Sequence, residues 1–235
     1  MSHRKFILVT FLCILVTLSA TQIILDYISE AKADTSISSY IQPPKYQILI
    51  DIEDKTLYLL KNGEYLKKYA ISSGKSGLPS PLGAWRIVEK SDWGEGFGGR
   101  WMGLDVPWGT YGIHGTFASE SIGIAASHGC IRMFIDDVKE LYSIVPVGTE
   151  VAIVNGLYGP FGRGFDEMYP GDRGADIMAV QQRLKQLGYY TGPIDGIYKD
   201  DLKFALHRFQ KDHGITPDNA VNKESWNAMG FREFE

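Results

Sequence analysis

The chain has 235 residues, enough for one mid-sized domain or two small ones. With 44% hydrophobic and 22% charged residues, the composition excludes a disordered chain and calls for packed units. A net charge of -4 excludes the basic stripe a nucleic-acid partner needs, and no basic run marks an anionic lipid surface.

The first 33 residues have the layout of an export segment. His3-Arg4-Lys5 are followed by an apolar run from Phe6 to Leu18, and Ala31-Lys32-Ala33 offers a small-x-small cleavage site. Extended through Ile23, Ile24 and Leu25, the apolar stretch reaches roughly 20 residues, enough to span a bilayer. A cleaved signal peptide, a retained membrane anchor and a buried helix are the open readings of residues 1–33. The first two place the rest of the chain outside the cytoplasmic membrane. Only two cysteines are present. Cys13 follows Leu12 rather than a small residue, which argues against lipidation, and Cys130 is left as a lone thiol, reactive or merely buried.

Residues 34–44 are polar, end in Pro43-Pro44 and read as a linker. A β-rich domain is expected over 45–155. Tyr46–Ile52, Thr56–Leu60 and Tyr65–Ile71 read as strands, the last two joined across Asn62-Gly63, a strong hairpin signal because both positions need positive φ. Trp85–Val88 is a further strand after a Pro79-Ser80-Pro81-Leu82-Gly83 turn, and 92–115, rich in Gly and Trp, suits bent strands around a groove. One helix is predicted where Val138, Leu141, Tyr142 and Val145 recur at helical spacing, capped by Asp136 and stopped by Pro146. Strand returns over Val147–Val154. After a Gly-rich connector at 156–169, a three-helix module is expected over 170–232. Its helices are marked by Ile177-Val180-Leu184-Leu187, by Leu202-Ala205-Leu206-Phe209 and by Lys223–Met229, with Gly188 and Gly214 as stops and Asn222 as a cap.

The chemistry concentrates in Ile113-His114-Gly115-Thr116 and Ser127-His128-Gly129-Cys130-Ile131-Arg132. A thiol is mostly protonated at neutral pH, and a histidine within reach can take its proton and later return it. Gly129 leaves backbone amides uncrowded for an oxyanion. Arg132 offers a planar cation suited to a carboxylate. The same residue types leave other readings open: His114, His128 and Cys130 as zinc ligands, or His128 as a structural histidine. Trp101, Trp108 and Tyr111 either wall the groove or pack in the core.

This pair of segments resembles the L,D-transpeptidase catalytic domain family, whose motif is a histidine, a spacer, then Ser/Thr-His-Gly-Cys. The likeness extends over most of 46–154, including the Ser80-Pro81-Leu82-Gly83 turn, where the family usually has threonine first, Leu141-Tyr142, and Val145-Pro146-Val147-Gly148-Thr149. The resemblance implies a mainly β, sandwich-like domain with one helix, no metal and no cofactor. It makes Cys130 the nucleophile, His114 the general acid/base, the Gly115 carbonyl its orienting group, and the Gly129 and Cys130 amides the oxyanion hole. Ser127, His128, Arg132 and Tyr111 are the candidate substrate contacts.

The second module looks like the small three-helix peptidoglycan-binding module, on Gly171-Asp172-Arg173-Gly174, Gln181-Gln182-Arg183-Leu184, Leu187-Gly188-Tyr189, Gly192-Pro193-Ile194-Asp195-Gly196 and Arg208-Phe209-Gln210. Lys199, Asn219 and Asn222 stand near places where the family has glycine, and left-handed backbone is expected at 219 and 222. A helical spacer with no ligand is the bland alternative. The implied partners are peptidoglycan stem peptides and glycan, acted on by an exported monomer. The implied reaction is attack on the third stem-peptide residue, loss of terminal D-alanine and transfer to an acceptor amine. Hydrolysis by the same site (L,D-carboxypeptidase) and non-catalytic wall binding are the alternatives.

Overall fold

The computed structural model describes residues 45–92, 94, 98–156 and 166–231, so the expected export segment and the 34–44 linker lie outside the described residues. From Lys45 onward the chain forms one compact unit. Among the described residues nine strands follow in order: β1 Tyr46–Asp51, β2 Thr56–Lys61, β3 Glu64–Gly74, β4 Gly83–Ser91, β5 Trp101–Leu104, β6 Tyr111–Gly115, β7 Ala125–Ser127, β8 Ile131–Met133 and β9 Glu150–Val154. The helices are α1 Ile135–Ile144, α2 Ala175–Gln186, α3 Asp200–Asp212 and α4 Lys223–Met229. Among the described residues no helix is long and apolar enough to cross a membrane.

The strands run β2-β1-β9-β4-β5-β6-β8-β3-β7, and β2 also pairs with β3, so the sheet closes on itself. Two long strands make this possible. β3 pairs with β2 over its first part and with β8 at Ile71 and Ser72. β4 pairs with β9 from Gly83 to Arg86, then with β5 from Ile87 onward, with a register shift between Ile87 and Glu89. Strands that change partner in this way turn the corners of a sandwich-like fold. Register follows the apolar alternation. Ile48 lies between Leu59 and Val151, and Ile50 between Leu57 and Ile153, all nearly inaccessible, so a one-residue slip would turn this face to solvent. At the β2–β3 hairpin Asn62 and Gly63 have φ of 54° and 83°, as the expected turn demands.

α1 packs Val138 and Leu141 into the sheet. It begins one residue before Asp136, with Phe134 at the N-cap position. Asp136 therefore does not cap it; together with Asp137 it places negative charge in the first turn, where the helix dipole favours it. The helix ends at Val145, which turns extended because Pro146 follows. Lys90 reaches over from β4 and donates to the carbonyls of Tyr142 (2.6 Å) and Val145 (2.7 Å), while its ammonium sits 4.1 Å from the Tyr142 ring centroid. The strand expected from Val147 starts at Glu150 instead, because Gly148 is left-handed and Thr149 turns back onto Pro146.

The three helices of the C-terminal module match expectation, with Gly188 and Gly214 left-handed after α2 and α3. Asn222 caps α4 through Ser225 N–H (3.0 Å). Asn222 is extended rather than left-handed, and Asn219 is not among the positive-φ residues either; a side-chain cap needs extended backbone. Two inaccessible glutamines, Gln181 and Gln210, each hold the loop that follows their helix: Gln181 binds Asp195, Gly196 and Ile197, and Gln210 binds Asp218 and Ala220 and, beyond the loop, Ser225 of α4.

Lys90→Met removes the donor from two helix-end carbonyls and is expected to cost about 1–3 kcal/mol in urea unfolding. Lys67→Met, which breaks an exposed pair with Glu140, is expected to cost less than about 1 kcal/mol. Equal costs would contradict the capping role.

Candidate active site

The site is assembled by β6 and β8, which pair in parallel with Ile113 beside Ile131 and His114 beside Arg132. Side chains alternate along both strands. Ile113, Ile131 and Met133 are at most 1% exposed and face the core. His114, Cys130 and Arg132 therefore share the opposite face. There they line a cavity of about 420 Å³ with Gly115, Thr116, Phe117, Ala118, Ser127 and His128. Among the described residues no group of three or more His, Cys, Asp or Glu side chains is placed to hold a metal ion. Another cavity of about 420 Å³ lies along β1, β4 and β9; its Arg86 and Glu150 are paired with each other, and no cysteine or histidine lines it.

His114 is 7% exposed, and its Nδ1 lies 2.7 Å from the Gly115 carbonyl oxygen. A carbonyl only accepts, so Nδ1 carries the proton and Nε2 of the neutral ring is left as the acceptor. Trp101, fully inside, packs against the imidazole at 5.9 Å between centroids. Behind both, Gly112 lets the Trp101 ring approach: a Cβ there would lie 2.6 Å from it. Burial lowers the basicity of His114; the Gly115 carbonyl opposes this and the Arg132 charge adds to it. Burial likewise pushes the Cys130 thiol up, against a backbone hydrogen bond from Gly112 and the Arg132 charge. At rest the pair is a thiol and a neutral imidazole.

Ser127 organises the turn that carries the cysteine. Its inaccessible hydroxyl donates to the Cys130 carbonyl (2.6 Å) and accepts from the Gly129 N–H (3.0 Å). Gly129 sits at φ 111°, and a Cβ there would meet the Tyr111 ring at 2.6 Å and the Pro79 carbonyl at 3.1 Å, so only glycine fits. The Gly129 amide is thus committed to Ser127, which leaves the Cys130 amide as the freer donor toward an oxyanion. Ser80, the residue in place of the family's usual threonine, accepts from Gly74 N–H (2.9 Å) through the hydroxyl that both residue types carry.

The other expected contacts divide. His128 is exposed at the cavity rim, and Arg132 is half-buried inside it. Tyr111 does not line the cavity; its half-buried ring packs on Gly109 and Gly129. Trp101 and Trp108 are core residues, 3% and 6% exposed. The aromatic wall is Phe117, 65% exposed, which the sequence pattern did not single out. Only its place two residues after His114-Gly115 could have marked it.

Because only the thiolate alkylates, iodoacetamide labelling of Cys130 is expected to titrate above the ordinary cysteine range, read by intact mass against pH; a midpoint below that range would contradict the discharged pair. Ser127→Ala is expected to destabilise by about 1–3 kcal/mol by orphaning two buried backbone groups, with Ser127→Thr restoring most of it.

Comparison with known proteins agrees in one direction. The L,D-transpeptidase catalytic domain family matches residues 45–153, and the family described as "Putative peptidoglycan binding domain" matches 173–229. "Putative L,D-transpeptidase YkuD" of Bacillus subtilis (strain 168) is 45% identical over 109 residues, 46% of this chain and 65% of that protein. "Putative L,D-transpeptidase YqjB" of the same organism is 32% identical over 125 residues, covering 46% of this chain and 70% of that protein. The solved catalytic domain of the Enterococcus faecium L,D-transpeptidase aligns at 28% identity and a TM-score of 0.41, over 46% of this chain and 96% of that one.

Proposed function

The chain belongs to the L,D-transpeptidase family, and on that premise we propose that Cys130 transfers the acyl end of a peptidoglycan stem peptide through a thioester, with residues 45–155 as the catalytic domain and 170–232 as a wall-binding module. The observation that carries the reading is the single cavity in which Cys130, His114 and Arg132 share one face of a parallel strand pair. The peptidoglycan-binding match supports the wall polymer as substrate or partner, and a cell-wall location.

The chemistry follows from the proton inventory. As Sγ of Cys130 attacks the carbonyl of the third stem-peptide residue, Nε2 of His114 takes the thiol proton. The Cys130 amide donates to the developing oxyanion, with the Gly129 amide contributing only as it shares its bond with Ser127. Collapse breaks the amide bond, and His114 returns the proton to the departing amine of D-alanine. An acceptor amine then attacks the thioester, His114 takes its surplus proton, and the thiol leaves reprotonated with a cross-link formed. The Gly115 carbonyl stabilises the transient imidazolium and fixes the ring. Arg132 receives a substrate carboxylate: it lines the cavity and is not among the ion-paired arginines of the described residues. His128, exposed at the rim, contacts the peptide.

Intact-mass spectrometry with a tetrapeptide is expected to show an adduct on Cys130 with loss of D-alanine. Cys130→Ala and His114→Ala should abolish it, and His128→Ala should only slow it, by about tenfold. Adding an acceptor amine should convert the adduct to cross-linked product. A hydrolysed product alone would make the enzyme a carboxypeptidase. No adduct in the unmodified protein, with wall binding intact, would make it a non-catalytic binder.

A further inference from the structure

Trp108 lies in the β5–β6 turn between exposed Pro107 and Gly109, yet it is only 6% exposed. One edge meets Trp85 at 5.1 Å and 78°. Gly196 of the helical module covers another part: a Cβ at 196 would lie 2.4 Å from Cε3 and 2.8 Å from Cζ3 of the indole. Ala175, Met178 and Ile197, all from the module, pack against the core of the β domain. The socket is rigid, because Gln181 holds Asp195, Gly196 and Ile197 together, and Gly174 N–H is bonded to the Gly196 carbonyl (2.9 Å). Gly196 also needs its φ of 64°, so the knob and the socket both demand glycine there.

The turn that carries Trp108 reaches the nucleophile in two contacts. Gly109 presses on one edge of the Tyr111 ring, with a Cβ position 2.8 Å from Cε2. Gly129 presses on the other, 2.6 Å from Cε1, and is followed directly by Cys130. Tyr111 is thus gripped between the turn that docks the module and the backbone that presents the thiol.

We infer that the helical module is docked on the catalytic domain through Trp108, and that Trp108 is a positioning residue: the module, by holding the 105–110 turn, holds Tyr111 on Gly129 and so holds the Cys130 backbone. The module then does more than raise local substrate concentration. It is part of the support of the site, and displacing it loosens the place where the oxyanion forms. The kinetic half of this inference rests on Cys130 being the nucleophile; the docking half does not.

The test uses the whole chain carrying Met178→Glu or Ile197→Glu, which put a charge on the module's half-buried docking face, together with Trp108→Phe as the conservative variant. Hydrogen exchange is read at residues 105–112 and 125–131, with tetrapeptide acylation split into kcat and KM. Expected for each Glu variant is exchange faster by about tenfold or more at 105–112 and a kcat reduced about threefold to tenfold at unchanged KM. Exchange within the module should be unchanged, and Trp108→Phe, which withdraws part of the indole that Gly196 covers, should shift both readouts in the same direction but by less. Unaltered exchange at 105–112 would overturn docking. Faster exchange with unaltered kcat would overturn the positioning role and leave Trp108 a packing contact. If the parent protein takes no acyl group from tetrapeptide, the proposed reaction fails instead. Iodoacetamide labelling of Cys130 in the same variants then replaces acylation as the readout, with faster labelling expected as the loosened site hydrates the thiol and no change overturning the positioning role.

Discussion

The parallel pairing of β6 with β8 is the constraint on which the site depends. Two parallel neighbours need a crossover of a dozen or more residues, usually a helix. Here the connection from Thr116 to Cys130 carries only a short 3-10 turn, Ser119–Ser121, and the three-residue β7. It is held by hydrogen bonds to the end of β3 instead: Gly123 N–H to Ile71, Ser73 N–H and the Ser72 hydroxyl to Ile124, and Lys75 N–H to Ser127. Because β3 is itself one of the two strands that turn a sandwich corner, the placement of Cys130 is fixed by the closure of the whole sheet. The core residues Ile113 and Ile131 set the register, and the alternation of side chains leaves His114, Cys130 and Arg132 together on the outer face.

Burial then sets the charge state. Desolvation disfavours both thiolate and imidazolium, so the same enclosure that shields the pair also favours its neutral form. In the proposed mechanism charge appears only as the proton moves, beside the Gly115 carbonyl at Nδ1 and the amide of Cys130. The Arg132 charge acts on both groups at once, holding the Cys130 thiol pKa down and opposing a charged His114.

Much of this was legible in the sequence where the signal is local. Asn62-Gly63 required its turn, Gly188 and Gly214 ended their helices, and Asn222 capped α4, because each rests on the backbone preference of one or two residues. The segments around His114 and Cys130 marked the cavity because residue type alone limits what they can do. What escaped notice is non-local or too short for a period. A three-residue strand such as β8 has no readable alternation, so the face shared by His114 and Arg132 could not be inferred. Nor could the commitment of the Gly129 amide to Ser127, the burial of Trp108, or the packing of Tyr111 on glycine rather than in the cavity. Asp136 shows the opposite error: an acidic residue near a helix start suits both the cap and the first turn, and only the backbone decides between them.

The catalytic reading depends finally on the protonation of one ring. Nitrogen-15 NMR of the His114 imidazole across pH, assigned by comparison with His114→Ala, measures it directly. The account predicts a neutral ring near pH 7 with the proton on Nδ1 and none on Nε2, charging only below the ordinary histidine range. A proton on Nε2, or an imidazolium persisting at neutral pH, would contradict it.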